Sequence, residues 1–145
     1  MNVSSKLFVF FLLSQLLQMP NILHAHATTP IGTPEEIITQ EDLHAALTSK
    51  TPAVIMLKMD PCPHCTALRP HFASSAKNSQ YKKIAFYVAN GPKLQAAKAV
   101  KDLSGISIPG FPSIIYVHKS KIVDHQIGGS KKTLEEKLTK LAKMN

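Results

Sequence analysis

The chain has 145 residues, 44% hydrophobic and 18% charged, and its 17 lysines and arginines outnumber its 9 acidic residues for a formal net charge of +8. That is the size of one domain, and 2 cysteines are too few for a disulfide-stapled scaffold. Arg69 is the single arginine and the lysines are scattered, apart from Lys82-Lys83 and Lys131-Lys132. The concentrated basic stripe of a nucleic-acid reader is missing, so the charge serves solubility and a mild pull on anionic partners.

Residues 1–27 read as a targeting segment. Lys6 supplies a positive start, Leu7 to Leu17 an apolar run, and Ala25-His26-Ala27 a small-x-small cleavage pattern. Gln18, Pro20 and Asn21 interrupt the run well short of the roughly 20 residues a bilayer span needs. The expectation is a cleaved signal peptide, with cleavage after Ala27, and a periplasmic or secreted protein without stable membrane insertion. The alternative is an uncleaved N-terminal anchor. Residues 28–145 remain long enough to close one core.

Residues 28–34, TTPIGTP, form a flexible lead-in, and the domain is expected over 35–145. Glu35 to Ile38 is a candidate edge strand. Thr39 offers an N-cap, with Asp42 three residues on as an imperfect capping box. Leu43, Ala46 and Leu47 give that helix one apolar face before Pro52. Ala53 to Met59, AVIMLKM, is a nearly continuous apolar run, the pattern of a strand covered on both faces. Cys62-Pro63-His64-Cys65 follows at once and opens into a helix over 66–77. Pro70 lies inside that helix, lacks an N–H and predicts a kink.

Ile84 to Ala89 is a second buried strand. Pro92 suits the first turn of the next helix, which carries Leu94, Ala97, Val100 and Leu103. Ser113 to Val117 and Lys121 to Ile127 are strands a hairpin's gap apart. Ser130 offers the N-cap of a last helix, with Leu134, Leu138 and Leu141 along one face. The order β-α-β-α-β-α-β-β-α predicts an α/β fold, a central mixed β-sheet flanked by helices on both faces.

The cysteine pair admits three readings. As a staple it closes a tiny loop and adds little stability. As a zinc site it falls short of about four ligands, with His64 and His71 the nearest other candidates. As a redox pair it is well placed. Cys62 sits where a helix begins, and the free N–H groups and dipole of that end favour an anion. Thiolates in such sites have pKa values of roughly 3.5–7.5, against about 8.5 for a free cysteine. Cys65, one turn further, is expected to be more buried and within reach of a sulfur bonded to Cys62. Cys-x-x-Cys beside alternating β and α elements points to redox chemistry.

Four features in sequence order carry a family resemblance. Cys-x-x-Cys follows a buried strand, Pro70 lies five residues after Cys65, Gly110-Phe111-Pro112-Ser113 precedes a strand, and Gly128 follows the last strand. In these the chain resembles the thioredoxin family from Glu35 to the C-terminus. The resemblance implies a thioredoxin-like fold and a redox-active Cys62–Cys65 pair. It implies a cis Pro112 facing Cys62, and a Phe111 backbone that pairs with an extended substrate. Cys62 would attack or be attacked first and Cys65 would resolve, with no dissociable cofactor and no metal. The implied partners are protein thiol or disulfide substrates and an unidentified redox partner that resets the pair. No nucleic acid is called for, and a monomer is expected.

Pro63-His64 resembles the dipeptide of DsbA-type periplasmic oxidases. His64 can give hydrogen bonds and, when protonated, positive charge to the Cys62 thiolate, which makes the disulfide more oxidising. Those oxidases carry a helical insertion for which this length leaves no room, and no dimerisation domain is visible. Two positions depart from the thioredoxin pattern. Met56 stands where the family usually has a buried carboxylate that serves the resolving cysteine, and Phe86 where thioredoxin has a partner lysine. Lys58 stands in place of a tryptophan; its ammonium either favours the thiolate or sits in water above an apolar stem. The resulting expectation is an exported thiol–disulfide oxidoreductase acting on client proteins through its CPHC pair. The alternative is a non-catalytic binding module of the same fold that delivers a thiophilic metal such as copper(I) or zinc.

Overall fold

A computed structural model describes residues 32–144; the expected targeting segment and residues 28–31 of the lead-in lie outside them. The elements are β1 (Glu35–Ile37), α1 (Gln40–Leu47), β2 (Ala53–Lys58), α2 (Pro63–Ala76), a short 3-10 turn (Ser79–Tyr81), β3 (Ala85–Asn90), α3 (Ala96–Ser104), β4 (Ser113–His118), β5 (Lys121–Ile127) and α4 (Lys131–Ala142). Apart from the 3-10 turn, this is the predicted order.

The strands form one sheet in the order β1-β3-β2-β4-β5. β3 runs parallel to β1 and β2, whereas β4 is antiparallel to both β2 and β5. β2 is thus the central strand, and its continuous apolar run has a simple cause. Successive side chains of a strand point to opposite faces, and both faces are covered. Val54 and Met56 pack with Leu68 and Phe72 of α2 and Leu134 and Leu138 of α4. Ala53, Ile55 and Leu57 pack with Leu43 and Leu47 of α1 and Val100 of α3. Each fully buried side chain of this size contributes roughly 1.5–3 kcal/mol, so α2 is firmly attached to the sheet at the point where β2 ends.

Helix starts follow the predicted caps at two places. Thr39 Oγ1 accepts the Asp42 N–H at 3.1 Å, and Ser130 Oγ accepts the Thr133 N–H at 3.2 Å. Pro70 lies inside α2 without ending it. α3 differs from expectation. Residues 91–95 form turns, Gln95 is left-handed (φ 50°) without a side-chain cap, and the helix begins at Ala96 rather than near Pro92. Local hydrogen bonds explain the delay. Asn90 Oδ1 accepts from the Lys93 N–H at 3.1 Å, and the Ala96 N–H donates to Gly91 O at 2.9 Å. The helix that remains is rotated away from part of its predicted face: Leu94 is buried by the turn, and Leu103 is 44% exposed. No helix among the described residues is long and apolar enough to cross a membrane.

The β4–β5 hairpin turns through Lys119 and Ser120, both at positive φ (50° and 62°). Tight hairpins of this hand favour glycine, because a β-carbon crowds the left-handed backbone. Ser120→Gly is expected to stabilise the protein by about 0.5–1 kcal/mol, seen as a higher urea midpoint with an unchanged slope.

Candidate functional site

β2 ends at Lys58, and Met59-Asp60-Pro61 lead out of the sheet to Cys62; the Asp60–Pro61 peptide bond is cis. Cys62 is the N-cap of α2, with extended backbone (φ −150°, ψ 98°), and Pro63 occupies the first turn, where its missing N–H leaves no gap in the helix. The cap is made by sulfur: the Cys65 N–H donates to Cys62 Sγ at 3.1 Å. The two cysteines form a disulfide with Cα atoms 5.2 Å apart, inside the ordinary range for such bonds. Cys62 is half-buried and Cys65 is 4% exposed. An incoming sulfur therefore meets Cys62.

The turn before β4 faces this pair. Its Phe111–Pro112 peptide bond is cis. Ser113 Oγ donates to Gly110 O at 2.6 Å, and the Gly128 N–H donates to Pro112 O at 2.8 Å, so the turn is tied at both ends. Cys62 Sγ lies 3.9 Å from Phe111 O. A disulfide sulfur carries no proton, so this is a contact in the oxidised form and becomes a hydrogen bond only for the thiol. The Phe111 side chain packs against the hydrophobic clusters on both sides of the sheet. Gly91 makes room for it: a β-carbon there would overlap Phe111 Cε1 and Cζ. Gly129 closes a further side, where a β-carbon would lie 3.6 Å from His64 O and 3.9 Å from Pro112 Cγ.

Cys62, Pro63, His64, Cys65, Phe111 and Pro112 are thus gathered in one place. His64 is exposed, and the groups at Cys62 Sγ are the Cys65 N–H, which donates to it, and the Phe111 carbonyl, which only contacts it, not the imidazole. His71 is exposed too and lines a separate polar groove of about 640 Å³ between α2 and α4. Among the described residues no three His, Cys, Asp or Glu side chains converge as a metal site.

Met56 and Phe86 share the cluster that holds Cys65, and Phe86 meets Phe72 edge to face with ring centroids 5.3 Å apart. Ser113 and Gln126 are the buried polar residues among those described, and neither supplies a carboxylate or an amine. Lys58 is not a solvent-facing ammonium above an apolar stem. Its side chain is 12% exposed, and Nζ bridges Glu36 Oε1 at 3.4 Å and Asp60 Oδ2 at 3.3 Å. Asn90 Nδ2 donates to the same Asp60 oxygen at 2.9 Å, and Arg69 reaches Glu36 at 3.9 Å. The hydrogen bond from Lys58 outweighs desolvation and holds the Asp60 carboxyl below its ordinary pKa. Glu36, Asp60, Asn90 and Gly91 were not among the sequence-predicted site residues. The available signals were an acid two residues before Cys62 and an Asn-Gly-Pro stop after the third strand.

The sequence profile named Thioredoxin matches residues 35–140. The chain belongs to the thioredoxin family. Thioredoxin H5 of Arabidopsis thaliana is 26% identical to this family member over 103 residues, covering 71% of this chain and 81% of that protein. The thioredoxin of Malassezia sympodialis superposes with a TM-score of 0.68 at 19% identity, over 82% of this chain and 99% of that one. Thioredoxin from Trypanosoma brucei brucei gives 0.68 at 14% identity, over 80% and 96%. At such identities the structural likeness speaks for the fold. Family membership and the disulfide-bonded pair together make this a thioredoxin-fold redox protein, in general terms a thiol–disulfide oxidoreductase.

Gly91→Ala forces the Phe111 ring to move, and overpacking of this kind typically costs about 1–3 kcal/mol. Urea denaturation is expected to show that loss, and the cost of Gly91→Ala is expected to be mostly absent when measured in a Phe111→Ala background, which carries its own loss of packing.

Proposed function

We propose that the protein is an exported oxidoreductase that exchanges disulfides with client proteins through Cys62 and Cys65. The observation that carries this reading is the half-exposed Cys62 sulfur at the mouth of α2, receiving the Cys65 N–H at 3.1 Å. That N–H and the helix dipole favour negative charge on Cys62, and among the described residues no hydrogen bond to the Cys65 sulfur is found.

In client oxidation, a client thiolate attacks Cys62 Sγ. The Cys62–Cys65 bond breaks, and Cys65 leaves as a thiolate that takes up a proton. The client's second thiolate then attacks its own sulfur in the mixed disulfide, and Cys62 departs as the thiolate favoured by the cap. Two electrons pass from the client dithiol to the pair, and the client gains a disulfide. Client reduction is the reverse. Phe111 and Pro112 sit where a client's extended backbone would lie beside Cys62, a contact that gives affinity with little sequence preference.

The Pro63-His64 dipeptide favours an oxidising poise, because charge on a protonated His64 stabilises the reduced thiolate. The pattern over residues 1–27 supports delivery to a periplasmic or secreted location, where client disulfides persist. Resetting falls to a redox partner protein.

Cys62→Ser is expected to abolish exchange in an insulin-reduction assay with dithiothreitol, and Cys65→Ser to accumulate mixed disulfides visible on non-reducing gels. A wild-type protein inert towards insulin and scrambled substrates would overturn the assignment. Met56→Glu places a base beside Cys65 and is expected to speed release of the mixed disulfide about tenfold or more. Stopped-flow rates unchanged across pH 6 to 9 would refute the role given to Met56.

A further inference from the structure

We infer that Lys58 and Asp60 form a charge-compensating couple that sets how readily Cys62 carries a thiolate, acting through the local field and not by contact. The inference rests on the redox role proposed for Cys62 and adds to it the source of its tuning.

The couple is held in place from several sides. Lys58 ends the central strand, lies opposite Asn90 of β3, and accepts the Gly91 N–H on its carbonyl at 2.7 Å. Its side chain is 12% exposed, and its ammonium meets Glu36 and Asp60, whose own side chains are more than half exposed. Asn90 is itself oriented, since its carbonyl oxygen accepts the Lys93 N–H while its amide donates to Asp60. Asp60 lies two residues before Cys62, so their Cα atoms are at most about 7 Å apart.

The four ion-paired side chains sum to zero, with Lys93 a further cation outside them. Lys58 and Arg69 stand against Glu36 and Asp60, Lys93 acts on Asp60 from further off, and the first turn of α2 adds His64 and, in the reduced protein, Cys65. Compensation among the four leaves the cap N–H and helix dipole unopposed at the sulfur. Removing Lys58 leaves Arg69 facing the two carboxylates, an excess of one negative charge near Cys62, which disfavours its thiolate. Removing the charge of Asp60 leaves a surplus cation, which favours it.

The test compares Lys58→Met, Asp60→Asn and the double variant with wild type. Two quantities are read: the equilibrium constant with glutathione, and the pH dependence of Cys62 alkylation in the reduced protein. Lys58→Met is expected to make the disulfide less oxidising and to move the alkylation midpoint to higher pH. Asp60→Asn is expected to do the reverse, and the double variant to return near wild type. The change in equilibrium constant is about two- to fourfold per variant, the effect of one charge roughly 10 Å away at near-aqueous screening, and it shrinks in high salt.

A purely structural role breaks the same ion pair in both variants and moves both quantities in the same direction; that result, or no movement, overturns the inference. Glu36→Gln removes an acid from the other side of Lys58. It is expected to shift both readings in the direction of Asp60→Asn, and it keeps the test decisive if Lys58→Met fails to fold. Alkylation reports on Cys62 whether or not clients are turned over. Failure of the proposed function therefore appears as an inert wild type with opposite charge shifts intact. Failure of this inference appears as active protein without them.

Discussion

A sulfur in the capping position of a helix is the interaction on which the site depends. Three helices of this domain start in the same way, with a side-chain atom accepting the N–H three residues on. At Thr39 and Ser130 that atom is oxygen, at 3.1 and 3.2 Å. At Cys62 it is sulfur, at 3.1 Å. An oxygen cap satisfies a backbone donor and little more. A sulfur cap satisfies it with an atom that can also carry charge and form bonds. In the proposed exchange, the usual chemistry of starting a helix thereby becomes a device for holding a nucleophile.

The cap can hold its geometry because both sides of it are fixed. β2 is buried on both faces, so the point where the chain leaves the sheet does not wander. α2 is pinned to that sheet by Cys65, Leu68, Phe72 and Ala76. The facing turn is fixed independently, by Ser113 holding Gly110, Gly128 holding Pro112, and the Phe111 ring lodged over Gly91. The ends of β2, β3 and β5 and the start of β4 all meet at this end of the sheet. In the proposed exchange, a client arriving there would meet backbone and sulfur already positioned by the core.

Much of this was legible in the sequence, for local reasons. The two-sided strand announces itself as an apolar run, the caps at Thr39 and Ser130 by residue type, and the cysteines and Phe111-Pro112 by their order between strands. The start of α3 was not legible, because Pro92 carries a helix-start signal while the Asn90 side chain and Gly91 carbonyl close a turn first. The setting of Lys58 was hidden for a different reason. Its partners come from β1 and β3 as well as from its own loop, and only the parallel register that sets Lys58 against Asn90 brings them together. Taken alone, a lysine at a strand end reads as a stem with its head in water.

Met56 and Lys58, two of the three replacements in the family pattern, act on different quantities. In the proposed exchange, Cys65 must be a thiolate whenever the internal disulfide forms or breaks. Burial among apolar side chains disfavours that anion, and Met56 offers it no proton acceptor. Because the same transition state is crossed in both directions, this slows oxidation and reduction of clients alike and leaves their equilibrium untouched. The charges around Lys58 do the opposite. They bear on Cys62, whose thiolate is present in the reduced protein and absent from the disulfide, so they shift the equilibrium itself. Speed is thus governed from the interior, through Met56, and redox poise from the rim of the sheet, through Lys58 and Asp60. Because they act on different sulfurs, either can be altered without the other.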